Sequence, residues 1–109
     1  MIEATILVKA VSIANMRLHW AVKAKLAKAH RSAARVGLET VAPEPPALPL
    51  TVILTRCGPR TLDTDNLSSA LKAVRDGVAD WLGVDDGSAQ LDWQYQQRKG
   101  AYAVEVEVI

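Results

Sequence analysis

Cysteine is nearly missing from this 109-residue chain, where Cys57 stands alone. An intrachain disulfide is therefore impossible and no cysteine-rich zinc site can be assembled, which makes a reducing cytoplasm the expected compartment. No apolar run approaches the roughly 18 residues of a membrane helix. The first residues, with Glu3 and no basic stretch, do not read as a signal peptide, so no membrane partner is expected. There is no glycine-rich loop to cradle a phosphate, and no nucleophile-bearing turn accompanies the two histidines; a P-loop enzyme and a Ser/His/Asp hydrolase are both excluded. What remains is an ordinary globular balance, 50% apolar and 23% charged. It suits one core and leaves no room for two, so a single domain over residues 1–109 is expected.

The net charge of +1 conceals a division. Residues 1–60 hold nine Lys/Arg against three acids, and residues 61–109 hold four against nine, which makes the halves +6 and −5. A basic surface for phosphates and an acidic cluster for cations are the natural readings.

The β-branched run from Ile2 to Val11 predicts a first strand. Ser12 or Asn15 can cap a helix whose apolar stripe is Leu18, Val22, Leu26, Ala29, Ala33 and Val36, with Gly37 as its stop. Residues 40–49 carry four prolines and form an extended connector. Leu50 to Arg56 is a second strand, closed by Gly58-Pro59. Leu67, Leu71, Val74, Val78 and Leu82, with Ala70 and Trp81, stripe a second helix that ends at Gly83. Leu91–Arg98 and Ala101–Ile109, separated by Lys99-Gly100, predict a β-hairpin. The expected fold is therefore α+β, a mixed sheet with two packed helices in the order β-α-β-α-β-β. The aromatic residues Trp20, Trp81, Trp93, Tyr95 and Tyr102 read as core or interface anchors before they read as base-stacking platforms.

Three groups of residues can carry chemistry. No acid lies between Leu18 and Val36, while Arg17, Lys28, Arg31 and Arg35 fall within about 60° of one another on a helical wheel, flanked by Lys23 and Lys25. Such a ridge can track a phosphate backbone, with His19 and His30 as optional partners, or it can be a solvated helix face. Asp63-Thr64-Asp65-Asn66 stands at a helix start, where carboxylates can hold Mg²⁺ or Mn²⁺ or can simply cap the helix. Asp85-Asp86-Gly87 is a turn signal that follows the same helix, and Lys72, Asp76 and Asp80 mark one polar face of it.

Taken together, Asp63-x-Asp65-Asn66-Leu67, Lys72-x-x-x-Asp76 and Trp81-Leu82-x-x-Asp85-Asp86 resemble the RusA family of phage and prophage Holliday junction resolvases. The likeness lies in order, residue type and spacing over roughly residues 50–109. It implies a homodimer that cuts two symmetry-related strands of a four-way junction. It also implies Mg²⁺ held by Asp63, Asp65 and Asp86, with Lys72 as the assisting lysine. The family's lysine usually stands one helical turn after the second aspartate, where this chain has Ser69. A helix beginning near Ser68 or Ser69 would bring Lys72 to the aspartates, whereas one beginning at Asn66 would carry it about 10 Å along the axis. The Lys72-to-Asp76 interval matches the family and favours the longer loop. The basic loop before the first aspartate is thinned to Arg56 and Arg60.

The expected activity is Mg²⁺-dependent, structure-selective cleavage of branched DNA, in which Arg17, Lys25, Lys28, Arg31, Arg35, Arg56 and Arg60 hold backbone phosphates. A phage DNA-structure-binding or packaging-associated protein of the same fold, without cleavage, is the alternative.

Overall fold

The computed structural model describes residues 1–13 and 16–109. Its elements are β1 (Ile2–Ile6), α1 (Trp20–Val41), β2 (Leu50–Gly58), α2 (Thr64–Leu82), β3 (Leu91–Lys99) and β4 (Ala103–Val108). The fold is α+β in the expected element order, with one four-stranded mixed sheet ordered β1-β4-β2-β3. Among the described residues no helix is long and apolar enough to cross a membrane.

The sheet departs from the expected hairpin. β3 runs parallel to β2 and β4 runs antiparallel to it, so β2 lies between the two strands that were expected to pair. The cause is the apolar density of β2, whose buried residues include Leu50, Val52, Leu54 and Cys57 and which fills the central position. The link after β3 passes over the end of β2, where the Gly100 N–H donates to the Gly58 carbonyl at 2.9 Å. β1 is also shorter than expected. Its ladder on β4 runs from Ile2↔Val108 to Ile6↔Val104, and it ends where its partner ends.

Register sets the two faces of the sheet. Val52, Leu54 and Arg56 align with Val108, Val106 and Val104, and these align with Ile2, Ala4 and Ile6, giving one inward row that joins the helices in a single core. The opposite face carries Glu3, Glu105 and Glu107, with Glu3 directly across from Glu107.

α2 follows its sequence stripe: Leu67, Ala70, Leu71, Val74, Val78 and Trp81 are buried, and Gly83 closes the helix in the left-handed conformation at φ 72°. α1 does not. Its buried residues are His30, Ala34 and Leu38, about a third of a turn from the expected stripe, and Val22, Ala29 and Val36 lie exposed. The stripe was misplaced because the closest approach to α2 is made at a small residue, Ala34, and at the backbone of Arg31, and not at the valines. A Cβ on Gly77 would sit 2.2 Å from the Arg31 carbonyl oxygen and 2.8 Å from the Ala34 Cβ, so the two helices meet backbone to backbone. Gly37 likewise is no stop. The helix runs on to Val41 before Pro43, and Ile6 Cδ1 occupies the place a side chain at Gly37 would need. His19, not Ser12, caps the helix, its Nδ1 accepting from the Ala21 N–H; Asn15 lies outside the described residues. Arg17 precedes the helix and so does not share its wheel.

Gly77→Ala should lower stability by about 1–3 kcal/mol through overpacking, read as a fall in the urea midpoint. His30 gives a second expectation. It is buried with an unpartnered Nδ1, and desolvation lowers its pKa, so the unfolded chain takes up a proton before the folded one. Stability should therefore fall as pH drops below about 6.5 toward the folded value, and His30→Leu should flatten that part of the urea-midpoint profile.

Candidate nucleic-acid interface and carboxylate site

The loop into α2 is fixed from two sides. Gln97 on β3 accepts from the Leu62 N–H at 2.7 Å and donates to its carbonyl at 2.8 Å. Arg56 donates from Nη1 to the Arg60 carbonyl at 2.6 Å and from Nε to the Ala10 carbonyl at 2.8 Å. Arg56 is only 3% exposed, so this expected DNA contact is a buried clasp between β2 and two loops, and Arg60 is the exposed member of the pair.

The clasp delivers the chain to Asp63, which is the N-cap of α2. Its Oδ1 accepts from the Asn66 N–H at 2.8 Å and its Oδ2 from the Asn66 side-chain amide at 3.2 Å. Asp65 is exposed in the first turn, where a carboxylate suits the helix dipole. Because α2 starts at Thr64, the longer loop is ruled out, and Lys72 lies about two turns, or 10 Å, beyond Asp65 on the same face.

Lys72 reaches other partners there. Its Nζ donates to Asp76 Oδ1 at 2.7 Å and to Asp86 Oδ2 at 3.0 Å, and Arg75 Nε donates to the same Asp86 oxygen at 2.9 Å. Arg75 also donates to the Tyr95 hydroxyl at 2.8 Å and to the Asp86 carbonyl at 3.0 Å, with its guanidinium 4.7 Å above the Trp93 ring. The Trp93 indole N–H donates to that same carbonyl at 2.8 Å. The loop after α2 is thus folded back against the helix by two cations and an indole. Asp85, in contrast, makes only a local turn, accepting from the Gly87 N–H.

The seam continues onto α1. Arg31 forms a two-pronged pair with Asp80 at 2.6 and 2.7 Å, and Arg35 pairs with Glu39 at 3.2 Å. The acids that the sequence of α1 lacks near Arg31 are supplied by α2. Lys28, Arg31, Ser32, Arg35 and Asp80 line a hollow of about 350 Å³; Lys25 is exposed and is not part of its lining. His19 caps the helix and His30 is buried, so neither is set as a phosphate ligand.

The charges are mutually tuned. The hydrogen bond to Asp76 raises the Lys72 pKa, partial burial opposes it, and Asp86 adds to the rise. The hydrogen bond from Lys72 holds the Asp86 carboxyl below the usual carboxylate range, with Arg75 contributing further. Arg31 does the same to Asp80.

Of the expected metal ligands, Asp63 and Asp65 stand together at the helix start and Asp86 is drawn away to Lys72 and Arg75. Among the described residues, no group of three or more His, Cys, Asp or Glu side chains could hold a metal ion. The oxygen donors suit Mg²⁺ in kind, but the three-carboxylate site is not assembled in this arrangement. Arg75 was missed in the sequence, although its place one turn after Lys72 was a usable signal. Trp81 is buried and Trp93 half-buried, each with its indole N–H bonded to a backbone carbonyl, whereas Trp20 is 74% exposed. No family model matches the chain, and neither does any curated protein or solved structure.

Asp86→Asn should remove part of the acid sensitivity. The depressed folded pKa means that stability from Asp86 is fully present above the unfolded value of about 3.9 and is lost as pH falls through the folded one. The variant should be less stable at pH 6, and the gap in urea midpoint should narrow toward pH 2.5. Asp80 titrates in the same window, so the variant's own profile should keep a slope.

Proposed function

We propose that the protein acts on branched DNA as a metal-dependent, structure-selective endodeoxyribonuclease, working as a cytoplasmic homodimer. The observation that carries this reading is the meeting of a basic hollow on α1 with an acid-rich seam on α2, on adjoining surfaces. Lys25, Lys28, Arg31 and Arg35 would hold backbone phosphates, giving selectivity for DNA shape and a strong dependence on salt. Lys72 remains an ammonium and can turn from Asp76 to a phosphate oxygen. Arg75 positions Asp86 and is not itself a ligand to DNA in this scheme. The RusA-like order of Asp63, Asp65, Lys72 and Asp86 supplies the reaction class. Mg²⁺ or Mn²⁺, held at Asp63 and Asp65 and joined by Asp86 once that carboxylate leaves its cations, would supply an activated water and neutralise charge at the phosphodiester. Paired cuts across a four-way junction require two sites related by a two-fold axis, hence the homodimer.

One observation favours a second reading. Asp86 is already neutralised by Lys72 and Arg75, and the carboxylates are not gathered, as in a protein that keeps the fold and binds branched DNA without cutting it. A phage packaging-associated protein would fit that description.

A labelled synthetic four-way junction, incubated with and without Mg²⁺ beside a linear duplex, separates the two. The nuclease should give symmetric nicks that need the ion, and Asp65→Asn should slow them by about 100-fold or more while junction binding persists. Junction binding with no product in either Mg²⁺ or Mn²⁺ would establish the second reading.

A further inference from the structure

The chain between β1 and α1 is pinned at alternate residues. Buried Arg56 donates to the Ala10 carbonyl at 2.8 Å, and the Ser12 hydroxyl donates to that of Ser69 at 3.0 Å. Ala10 is itself buried, whereas Lys9 is exposed and Val11 and Ile13 are half-buried. Residues 7–12 form no helix or turn, and alternate side chains of extended chain face opposite ways. Lys9 and Val11 accordingly share a side. With Ile13 and Met16, and with Leu26 and His30 of α1, they line a cavity of about 310 Å³. Ile13 is also a wall of the hollow beside Ser69, Lys72 and Asp76, so the cavity adjoins the seam without being part of it.

The donors in this cavity define its occupant. His30 is 8% exposed, and neither of its ring nitrogens has a hydrogen-bond partner among the described residues. Nδ1 is sealed from solvent, which leaves Nε2 as the nitrogen open to the cavity. A stranded lone pair is easier to tolerate than a stranded N–H, so the ring proton belongs on Nε2. Burial lowers the pKa of the ring and keeps it neutral. Lys9 is the second donor and the one charged side chain of the lining. Among the described residues no carboxylate pairs with it, and its ammonium rests on the Tyr102 ring at 5.1 Å. An occupant must therefore bring acceptors and a negative charge. The remaining walls are apolar, and an apolar space with so few polar partners holds water poorly. A nucleobase is of comparable size but carries several polar edge groups, which Val11, Ile13, Met16 and Leu26 would leave unpaired. A cavity of about 150 Å³ accepts one benzene, so about a dozen non-hydrogen atoms fit here.

We propose that this cavity binds a small apolar monocarboxylate, a single ring or branched hydrocarbon on a short acid arm, whose carboxylate accepts from Lys9 and from the His30 N–H. The hydrocarbon fills the space between Val11, Ile13, Met16 and Leu26. Two features make the site a formed one: the clasp from Arg56 to Ala10 holds the wall that carries Lys9 and Val11, and α1 supplies the other wall as a regular helix. The bound acid stitches the chain after β1 to α1, and because it binds only the folded protein it adds stability by mass action. The site goes beyond the nuclease reading and does not rest on it.

The test titrates 3-phenylpropionate and its uncharged amide into the full chain, followed by calorimetry and by the nitrogen resonances of the His30 ring. The acid should saturate one site per chain with a Kd on the order of 0.1–1 mM, move the His30 Nε2 resonance and raise the urea midpoint. The amide should bind about fivefold more weakly. Lys9→Gln, at an exposed position, should erase that preference, and His30→Phe should weaken the acid by about tenfold. Leu26→Trp fills the cavity and should abolish binding while the circular dichroism spectrum is unchanged; should that variant not fold, the acid–amide difference and its loss in Lys9→Gln decide. Absence of saturable binding overturns the proposal, as do equal affinities for acid and amide. Binding undiminished in a folded Leu26→Trp chain places the ligand elsewhere and overturns it as well. Thymidine monophosphate held more tightly than the acid would assign the cavity to nucleotides instead. None of these readouts uses DNA cleavage, so the site and the nuclease stand or fall separately.

Discussion

Gly77 sets the geometry on which the rest of the molecule depends. With no side chain there, α2 lies against the Arg31 carbonyl and the Ala34 methyl of α1 more closely than any other residue would allow. That contact fixes how α1 is rotated, and rotation decides which of its side chains are core and which are surface. Arg31, whose backbone touches Gly77, sends its guanidinium to Asp80 one turn further along α2. The basic hollow and the acidic seam are side by side because one position has no Cβ.

The seam itself is an alternation of signs in which every carboxylate near Lys72 already has a cation. Such an arrangement is well suited to exchange. A phosphate that enters can take Lys72 or Arg31 from a carboxylate without stranding a charge in an apolar place, since most of these groups keep contact with water. Arg75 differs. It is three-quarters covered, stacked on Trp93 and bonded to both Tyr95 and Asp86, so it acts as a fixed post for the loop after α2.

The sequence was legible wherever large apolar residues repeat at a single period and a cap closes the element. α2 has both, and its stripe and its end at Gly83 follow; its start at Thr64 does not, because the interval from Lys72 to Asp76 favoured a loop three residues longer. It was misleading where contact is made by absence: on α1 the inner face is His30, Ala34 and Leu38, its closest approach is to a glycine, and the valines turn outward. It was silent on strand order, since Leu91–Lys99 and Ala103–Val108 have the same pattern whether they pair with each other or flank a third strand. For the carboxylates, residue types and spacings were plain. Which of them share a partner was not, because the fold-back of Asp86 depends on Arg75, Trp93 and Tyr95, drawn from two other elements. Burial of Arg56 was equally hidden, as an arginine at the end of a strand carries no mark of the carbonyls it will meet.

The place of β2 between β3 and β4 has a kinetic consequence. Consecutive strands joined by so short a link can close on each other within microseconds, long before a strand some forty residues earlier arrives. In this sheet that local pairing is wrong. A hairpin of β3 and β4 must stay open, or reopen, until β2 inserts and takes hydrogen bonds from both. The parallel β2–β3 ladder, made across α2, is a non-local pairing of the kind that slows folding. Chain emerging from synthesis has β2 waiting before either neighbour exists, so the order of translation guards against the trap that dilution from denaturant invites.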